Sequence, residues 1–213
     1  PYHWRAQTLP PDGGDVLGDH YHLLRDYTEQ WDLGDITDPE TLRGYRTRQA
    51  DLITADGGRP LSPHRVNYGE LECLPLLQCQ ILSICQSLRV GGSALVKVWL
   101  PLALPATLGL LRLWTGVFAE TYLVKPVASR PGNSEIYLVG HGYLGTPEWA
   151  LERLYSGLPS PDPRHPVVSV SDVRWMTGMV DAVRRGVQAQ CAWLSALYQS
   201  YYLGNRILQA PWR

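Results

Sequence analysis

Apolar residues recur with two different periods along the chain, and each period predicts a different element. Over residues 70–88 they fall at three- and four-residue steps, which predicts an amphipathic helix ended by Gly91 and Gly92. Residues 50–55 and 93–100 are short and β-rich, and the first is apolar enough for a buried parallel strand. Strands and helices that alternate in this way indicate an α/β sheet with crossover helices.

The next segments extend the same pattern and then change it. Residues 106–118 read as a helix, and residues 121–125 and 135–140 as two strands joined by the loop PVASRPGNS. Two strands joined so closely predict an antiparallel edge of the sheet. Near the start, residues 2–9 predict a short strand and residues 20–30 a helix.

A helical region follows residue 145. Thr146, Pro147 and Glu148 form a good helix start, and residues 158–166 are rich enough in proline to predict a linker. Residues 171–203 carry apolar positions in near-heptad rhythm, which predicts a long amphipathic helix. We therefore expect an α/β domain over residues 1–145 and a helical extension over residues 146–213, whose long helix packs on something.

Composition narrows the class of protein. At 213 residues, 45% hydrophobic and 18% charged, the chain can bury one sizeable core and a small appended subdomain. The longest apolar stretch, residues 94–111, is broken by Lys97, Pro101 and Pro105, so no membrane span is expected. The first residues lack a secretory signal, and the chain reads as mature protein, or as one begun in mid-domain, that is not secreted.

Net charge and cysteine spacing argue against two further classes of protein. A net charge of −1 argues against a protein that coats nucleic acid through a strongly basic surface. The basic residues are arginines except for Lys97 and Lys125, and only an amine can be brought to lose its proton near neutral pH. The cysteines lack the spacing of zinc ligands, so we expect buried, reduced thiols and no metal site; they are Cys73, Cys79, Cys85 and Cys191.

Three motifs fall at predicted strand ends, where open α/β sheets place their ligands. They are GDITDP at residues 34–39, ADGG at residues 55–58, and Lys97 together with SRPGNSE at residues 129–135. In this order, with GGSALVKV and VKPVASRPGNSEIYLV, they resemble the FtsJ (RrmJ)-like ribose 2′-O-methyltransferases, nearest to the eukaryotic and viral enzymes that modify mRNA caps. The resemblance covers roughly residues 32–143.

The resemblance implies a Rossmann-like fold that uses S-adenosylmethionine and a Lys-Asp-Lys-Glu tetrad around the ribose hydroxyl. Matched by motif, the aspartate is Asp56, the second lysine is Lys97 and the glutamate is Glu135. Asp35 would bind the adenine edge with Ile36 beside the ring, and Asp56 would also border the cofactor.

The resemblance also implies a partner and a compartment. Capped RNA would be bound beside the loop before Glu135, through Lys125, Ser129 and Arg130, with Arg59 as a further candidate. A cellular enzyme of this kind would act in the nucleus, and a viral one in the cytoplasm or virion.

The chemistry can also be argued from the residues. Methyl transfer to a ribose 2′-oxygen is an in-line displacement in which the hydroxyl sheds its proton as it attacks. A lysine accepts that proton only when neutral, so burial of Lys97 in an apolar strand would favour the role. Asp56 and Glu135 would orient the amine and complement the sulfonium. This reaction needs no metal.

The chain departs from the family pattern at its start. A glycine-rich nucleotide loop and the first tetrad lysine have no counterpart before Asp32, and Gly13 and Gly14 do not open a convincing helix. We therefore expect the N-terminal strand and nucleotide loop to be missing and S-adenosylmethionine to be held poorly by this chain alone. Two alternatives stay open: a ribosomal-RNA 2′-O-methyltransferase, and a catalytically silent RNA-binding or assembly module that contacts a partner, or the rest of its own domain, through helix 171–203.

Overall fold

The structure is a computed structural model that describes residues 36–38, 42, 50–58, 68–126 and 132–202. All of these belong to one compact unit. The elements predicted over residues 2–9 and 20–30 lie outside the described residues. In the described part, no helix is both long and apolar enough to cross a membrane. The strands are β1 (Ala50–Ala55), β2 (Leu88–Trp99), β3 (Phe118–Val124) and β4 (Glu135–Tyr143); the helices are α1 (Gly69–Glu72), α2 (Leu74–Ser87), α3 (Pro105–Val117), α4 (Glu148–Ser156) and α5 (Val173–Tyr202).

The four described strands form one mixed sheet in the order β1-β2-β4-β3. β1 and β2 are parallel, and β4 is antiparallel to both β2 and β3. The predicted α/β class and the predicted antiparallel edge are therefore confirmed. Since β4 runs opposite to its neighbours, its first residue lies at the same edge as the last residues of the other three strands.

The core is formed by α2 and α3 packed against the sheet. α2 is buried on nearly all sides, and α3 contributes Leu110 and Trp114, both fully buried. The Trp114 ring lies 4.5 Å from that of Phe118 at the start of β3. Each such apolar side chain contributes about 1.5–3 kcal/mol by burial, so this layer holds the sheet in place.

Two helix boundaries differ from the prediction for local reasons. The single helix predicted over residues 70–88 is divided at Cys73, because Pro75 has no N–H for the helical ladder and begins α2 at its first turn. That helix ends at Ser87, and β2 then begins at Leu88 rather than residue 93. Gly91 and Gly92 therefore lie within a strand, where the register against β1 shifts and Gly91 has a φ of +85°.

β1 has the predicted bounds but not the predicted burial. Ile53 is buried, whereas Leu52 is 59% exposed. The reason is that β1 is an edge strand of the described sheet. Cys73, Cys79 and Cys85 are buried as expected, whereas the same expectation is wrong for Cys191, which is exposed on α5.

The helical region after residue 145 packs on the same core. Gln78 of α2 donates to the Leu154 carbonyl of α4 at 2.7 Å. Asp172 caps the first turn of α5, and the Trp175 indole donates to the Thr115 hydroxyl of α3 at 2.9 Å. A domain division at residues 145/146 stays a prediction.

Candidate active site

The three residues predicted to be catalytic meet at the edge where β1 and β2 end. The Lys97 amine lies 3.0 Å from Oδ1 of Asp56 and 3.9 Å from Oε1 of Glu135. One ammonium nitrogen thus lies between two carboxylates contributed by two other strands. The motif-based grouping of these residues agrees with their placement in the fold, while their catalytic role stays a prediction.

Sheet register explains why they meet. Ala55 pairs with Val96, so Asp56 follows β1 beside Lys97 on β2. Trp99 pairs with Glu135 across the antiparallel ladder, which makes Glu135 a diagonal neighbour of Lys97 on the same face. Long side chains reach across such a diagonal.

Exposure differs sharply within this cluster. Lys97 is only 9% exposed, and its amine lies 5.7 Å from the centre of the Trp99 ring. The side chain of Asp56 is 64% exposed and that of Glu135 is 36% exposed. The lysine is therefore largely shielded from solvent, and the carboxylates stand where a ligand can reach them.

Tyr137 belongs to the same cluster and was missed by the sequence analysis. It pairs directly with Lys97 across the sheet, and its hydroxyl donates to Oδ1 of Asp56 at 3.0 Å. Burial and the Asp56 carboxylate raise the pKa of Tyr137 to about 12, so it stays a donor at neutral pH. Its position two residues after Glu135, on the same strand face, was the available signal.

The backbone before Glu135 is held by Lys125 and Asn133. The Asn133 amide donates to Oε2 of Glu135 at 2.8 Å. The Lys125 amine donates to the Glu135 carbonyl at 2.7 Å, to the Asn133 carbonyl at 3.0 Å and to the Asn133 side-chain oxygen. Burial lowers the pKa of Lys125, and the Glu135 charge opposes this shift.

These bonds bear on the RNA contact predicted for Lys125. An ammonium has three N–H donors, and here all three meet protein oxygens. A phosphate would have to displace one of them. The RNA contact of Lys125 stays a prediction beside this observed structural role.

The glycines of the ADGG motif keep the site open on one side and close-packed on the other. A Cβ on Gly58 would lie 3.5 Å from the Lys97 amine, at ordinary van der Waals distance. A Cβ on Gly57 would fall 2.2 Å from the Gln80 amide and 3.2 Å from Leu76. The turn therefore rests against α2 at Gly57 and lies beside the Lys97 amine at Gly58.

The remaining predicted positions divide between described and undescribed residues. Ile36 is partly buried and packs against the hydrophobic core. Four of the predicted cofactor and RNA contacts lie outside the described residues: Asp35, Arg59, Ser129 and Arg130. Among the residues whose structure is described, no group of three or more histidine, cysteine or acidic side chains could hold a metal ion.

Several known proteins are similar to this chain in sequence. An uncharacterised protein of Acanthamoeba polyphaga mimivirus is 36% identical over 170 residues, which is 74% of this chain and 22% of that protein. A probable methyltransferase of African swine fever virus is 32% identical over 67% of this chain and 38% of its own length. The zebrafish (Danio rerio) cap-specific mRNA (nucleoside-2′-O-)-methyltransferase 1 is 37% identical over 51% of this chain and 14% of its length.

This chain therefore spans well under half the length of these relatives. Among solved structures, a putative ribosomal RNA methyltransferase from Plasmodium falciparum is 25% identical, with a TM-score of 0.37 over 51% of this chain and 54% of that one. The profile of the FtsJ-like methyltransferases matches residues 15–143, beginning upstream of the motifs that carried the resemblance. The chain belongs to the FtsJ-like methyltransferase family.

Proposed function

We propose that this chain carries the catalytic centre for S-adenosylmethionine-dependent methyl transfer to the ribose 2′-oxygen of a cap-proximal mRNA nucleotide. The observation that carries the proposal is the Lys97 amine, 9% exposed and held between Asp56 and Glu135 at the carboxyl edge of the parallel strands. Ligands of open α/β sheets bind at that edge.

The chain's own groups suit the proton transfer that this reaction requires. S-adenosylmethionine, when bound, supplies an electrophilic methyl group on a positively charged sulfur. Lys97 in its neutral form takes the proton of the 2′-hydroxyl as the oxygen attacks. Asp56 and Glu135 orient the amine from two sides, and Tyr137 holds Asp56 in place.

The charge and openness of the edge fit the cofactor. The Asp56 carboxylate is mostly exposed and complements a sulfonium, and the absence of a side chain on Gly58 leaves room beside the amine. By the family resemblance, Asp35 and Ile36 would hold the adenosine. Arg59, Ser129 and Arg130 remain the candidates for RNA contacts.

The mRNA cap is favoured as the substrate by the name of one relative. The zebrafish relative is named for cap-specific 2′-O-methylation, and the match covers half of this chain. Because the match covers only 14% of that protein, the specificity is a proposal for the intact molecule.

The test is methyl transfer from radiolabelled S-adenosylmethionine to capped RNA by the intact protein, with the modified nucleotide identified after digestion. Lys97→Ala should lower the rate at least about 100-fold. Lys97→Arg should be as inactive, since a guanidinium keeps the charge but does not give up its proton. Arg89→Ala, at an exposed site on the opposite end of β2, is the matched control and should keep full activity.

Each alternative outcome has a distinct meaning. An active Lys97→Arg protein would rule out Lys97 as the proton acceptor. Methylation of ribosomal RNA fragments but not of capped RNA would replace the substrate and retain the chemistry. Absence of transfer to either RNA would refute the enzymatic proposal and favour a silent RNA-binding module.

A further inference from the structure

We propose that Asn133 is a positioning residue for Glu135 and that the C-terminal helix α5 fixes Asn133 through Gln190. The inference rests on the proposed function, because it concerns the same carboxylate. It makes α5 a working part of the active site, although that helix lies outside the family match, which ends at residue 143.

The two oxygens of Glu135 have different partners. Oε1 faces the Lys97 amine at 3.9 Å, and Oε2 accepts a hydrogen bond from the Asn133 amide at 2.8 Å. A carboxylate held at one oxygen cannot rotate freely about its terminal bond. The Asn133 amide therefore sets where Oε1 lies relative to the amine.

Asn133 is in turn held by two other elements. Its carbonyl accepts from the Gln190 amide at 2.7 Å and from the Lys125 amine at 3.0 Å, so both lone pairs are used. Gln190 lies 57 residues away in sequence and belongs to α5. A helix surface far along the chain thus reaches the residue that holds the glutamate.

Two hydrogen bonds, well separated along α5, connect it to other elements. Trp175 binds the α3 hydroxyl of Thr115 near its start, and Gln190 binds Asn133 fifteen residues later, about 22 Å along the axis at 1.5 Å per residue. Gln190 is half-buried, while its neighbours Ala189 and Cys191 are exposed. A displacement of α5 at Gln190 would therefore be transmitted to Asn133.

The experiment compares Gln190→Ala with Gln190→Glu, which keeps the shape and loses the donor, and with the control Gln188→Ala at an exposed position of the same helix. In the intact protein, both Gln190 variants should lower kcat about tenfold with the KM for S-adenosylmethionine unchanged, because a small misplacement of a catalytic group acts on the rate. Asn133→Ala should lower kcat similarly, and the Asn133/Gln190 double variant should be no worse than the lower single variant.

A second readout does not depend on methyl transfer. Hydrogen exchange followed by mass spectrometry should become faster over residues 132–136 in the Gln190 variants and stay unchanged there in Gln188→Ala. Unchanged exchange, or equal effects of Gln188→Ala and Gln190→Ala, would overturn the inference. If the wild-type protein transfers no methyl group, the proposed function fails, yet the exchange result still decides whether α5 holds Asn133.

Discussion

At the scale of single residues, the two lysines show what an ammonium does that a guanidinium cannot. Lys125 directs three bonds to oxygens of Asn133 and Glu135, an arrangement that suits a compact tetrahedral head rather than a planar fork. Lys97 is buried beside the Trp99 ring and faces two carboxylates. One lysine builds the site, and the other is positioned to react in it.

The charge of Asp56 leads to a prediction for the cofactor. Asp56→Asn keeps an oxygen for the Tyr137 and Lys97 contacts but removes the negative charge. S-adenosylmethionine should then bind about fivefold more weakly, since an exposed ion pair contributes up to about 1 kcal/mol. S-adenosylhomocysteine, which has no sulfonium charge, should bind with nearly unchanged affinity. Calorimetric titration of both ligands measures the difference.

The internal control is the ratio of the two affinities. An equal loss for both ligands would mean that Asp56 shapes the pocket rather than complementing charge. Gly58→Ala should instead weaken the binding of both ligands equally, because a methyl group 3.5 Å from the Lys97 amine obstructs both alike.

At the scale of elements, α5 is attached to the core through its first turns. Trp175 packs on the hydrophobic core, donates to Thr115 and lies 5.7 Å from the Arg112 guanidinium. Asp172 caps the helix and is also 3.5 Å from Arg112. These contacts with α3 fix the direction in which α5 runs towards the active site.

Trp175→Ala should therefore destabilise the protein. Its partly buried ring and hydrogen bond together should contribute about 2–3 kcal/mol, somewhat less than a fully buried tryptophan. Urea unfolding monitored by circular dichroism measures the change. Val173→Ala, two residues earlier and 75% exposed, should shift the free energy of unfolding by less than about 0.5 kcal/mol. Equal effects of the two changes would contradict the observed attachment.

The bounds of the elements also show what hydropathy patterns can and cannot predict. β1 was predicted with its observed bounds because Asp56, Gly57 and Gly58 end it with residues that disfavour strands. The start of β2 was predicted five residues too late, since glycines usually end an element and here form an irregularity inside one. The division at Cys73 follows from Pro75, because a proline favours the first turn of a helix and disfavours its interior.

At the scale of the whole molecule, the site combines local motifs with distant packing. The proximity of Lys97, Asp56 and Glu135 could be predicted from the sequence because each lies in a motif at the end or middle of a strand. That of Asn133 and Gln190 could not, because their contact depends on how α5 lies against the sheet. No periodicity encodes a bond between residues 57 positions apart.

The opposite edge of the sheet predicts how the molecule responds to alkali. The Tyr143 hydroxyl is buried and donates to the Cys85 carbonyl at 2.8 Å. Burial raises the pKa of Tyr143 to about 12 and that of the Cys85 thiol to about 11. In the unfolded chain both groups lose their protons at lower pH, so their neutral forms favour the folded state.

The stability held by these two groups should be complete below about pH 9 and be lost as the pH rises to about 12. Tyr143→Phe should remove the tyrosine contribution, which is about 2 kcal/mol of the alkaline decline in the free energy of unfolding. At neutral pH the same change should lower the free energy of unfolding by about 1 kcal/mol through the lost hydrogen bond. Urea unfolding at a series of pH values measures both effects. Tyr68→Phe, at an exposed ring, should decline as the wild type does. A Tyr143→Phe protein that loses stability as steeply as wild type between pH 10 and 12 would show that this hydroxyl does not control the response, because the folded and unfolded states would then titrate alike at this position.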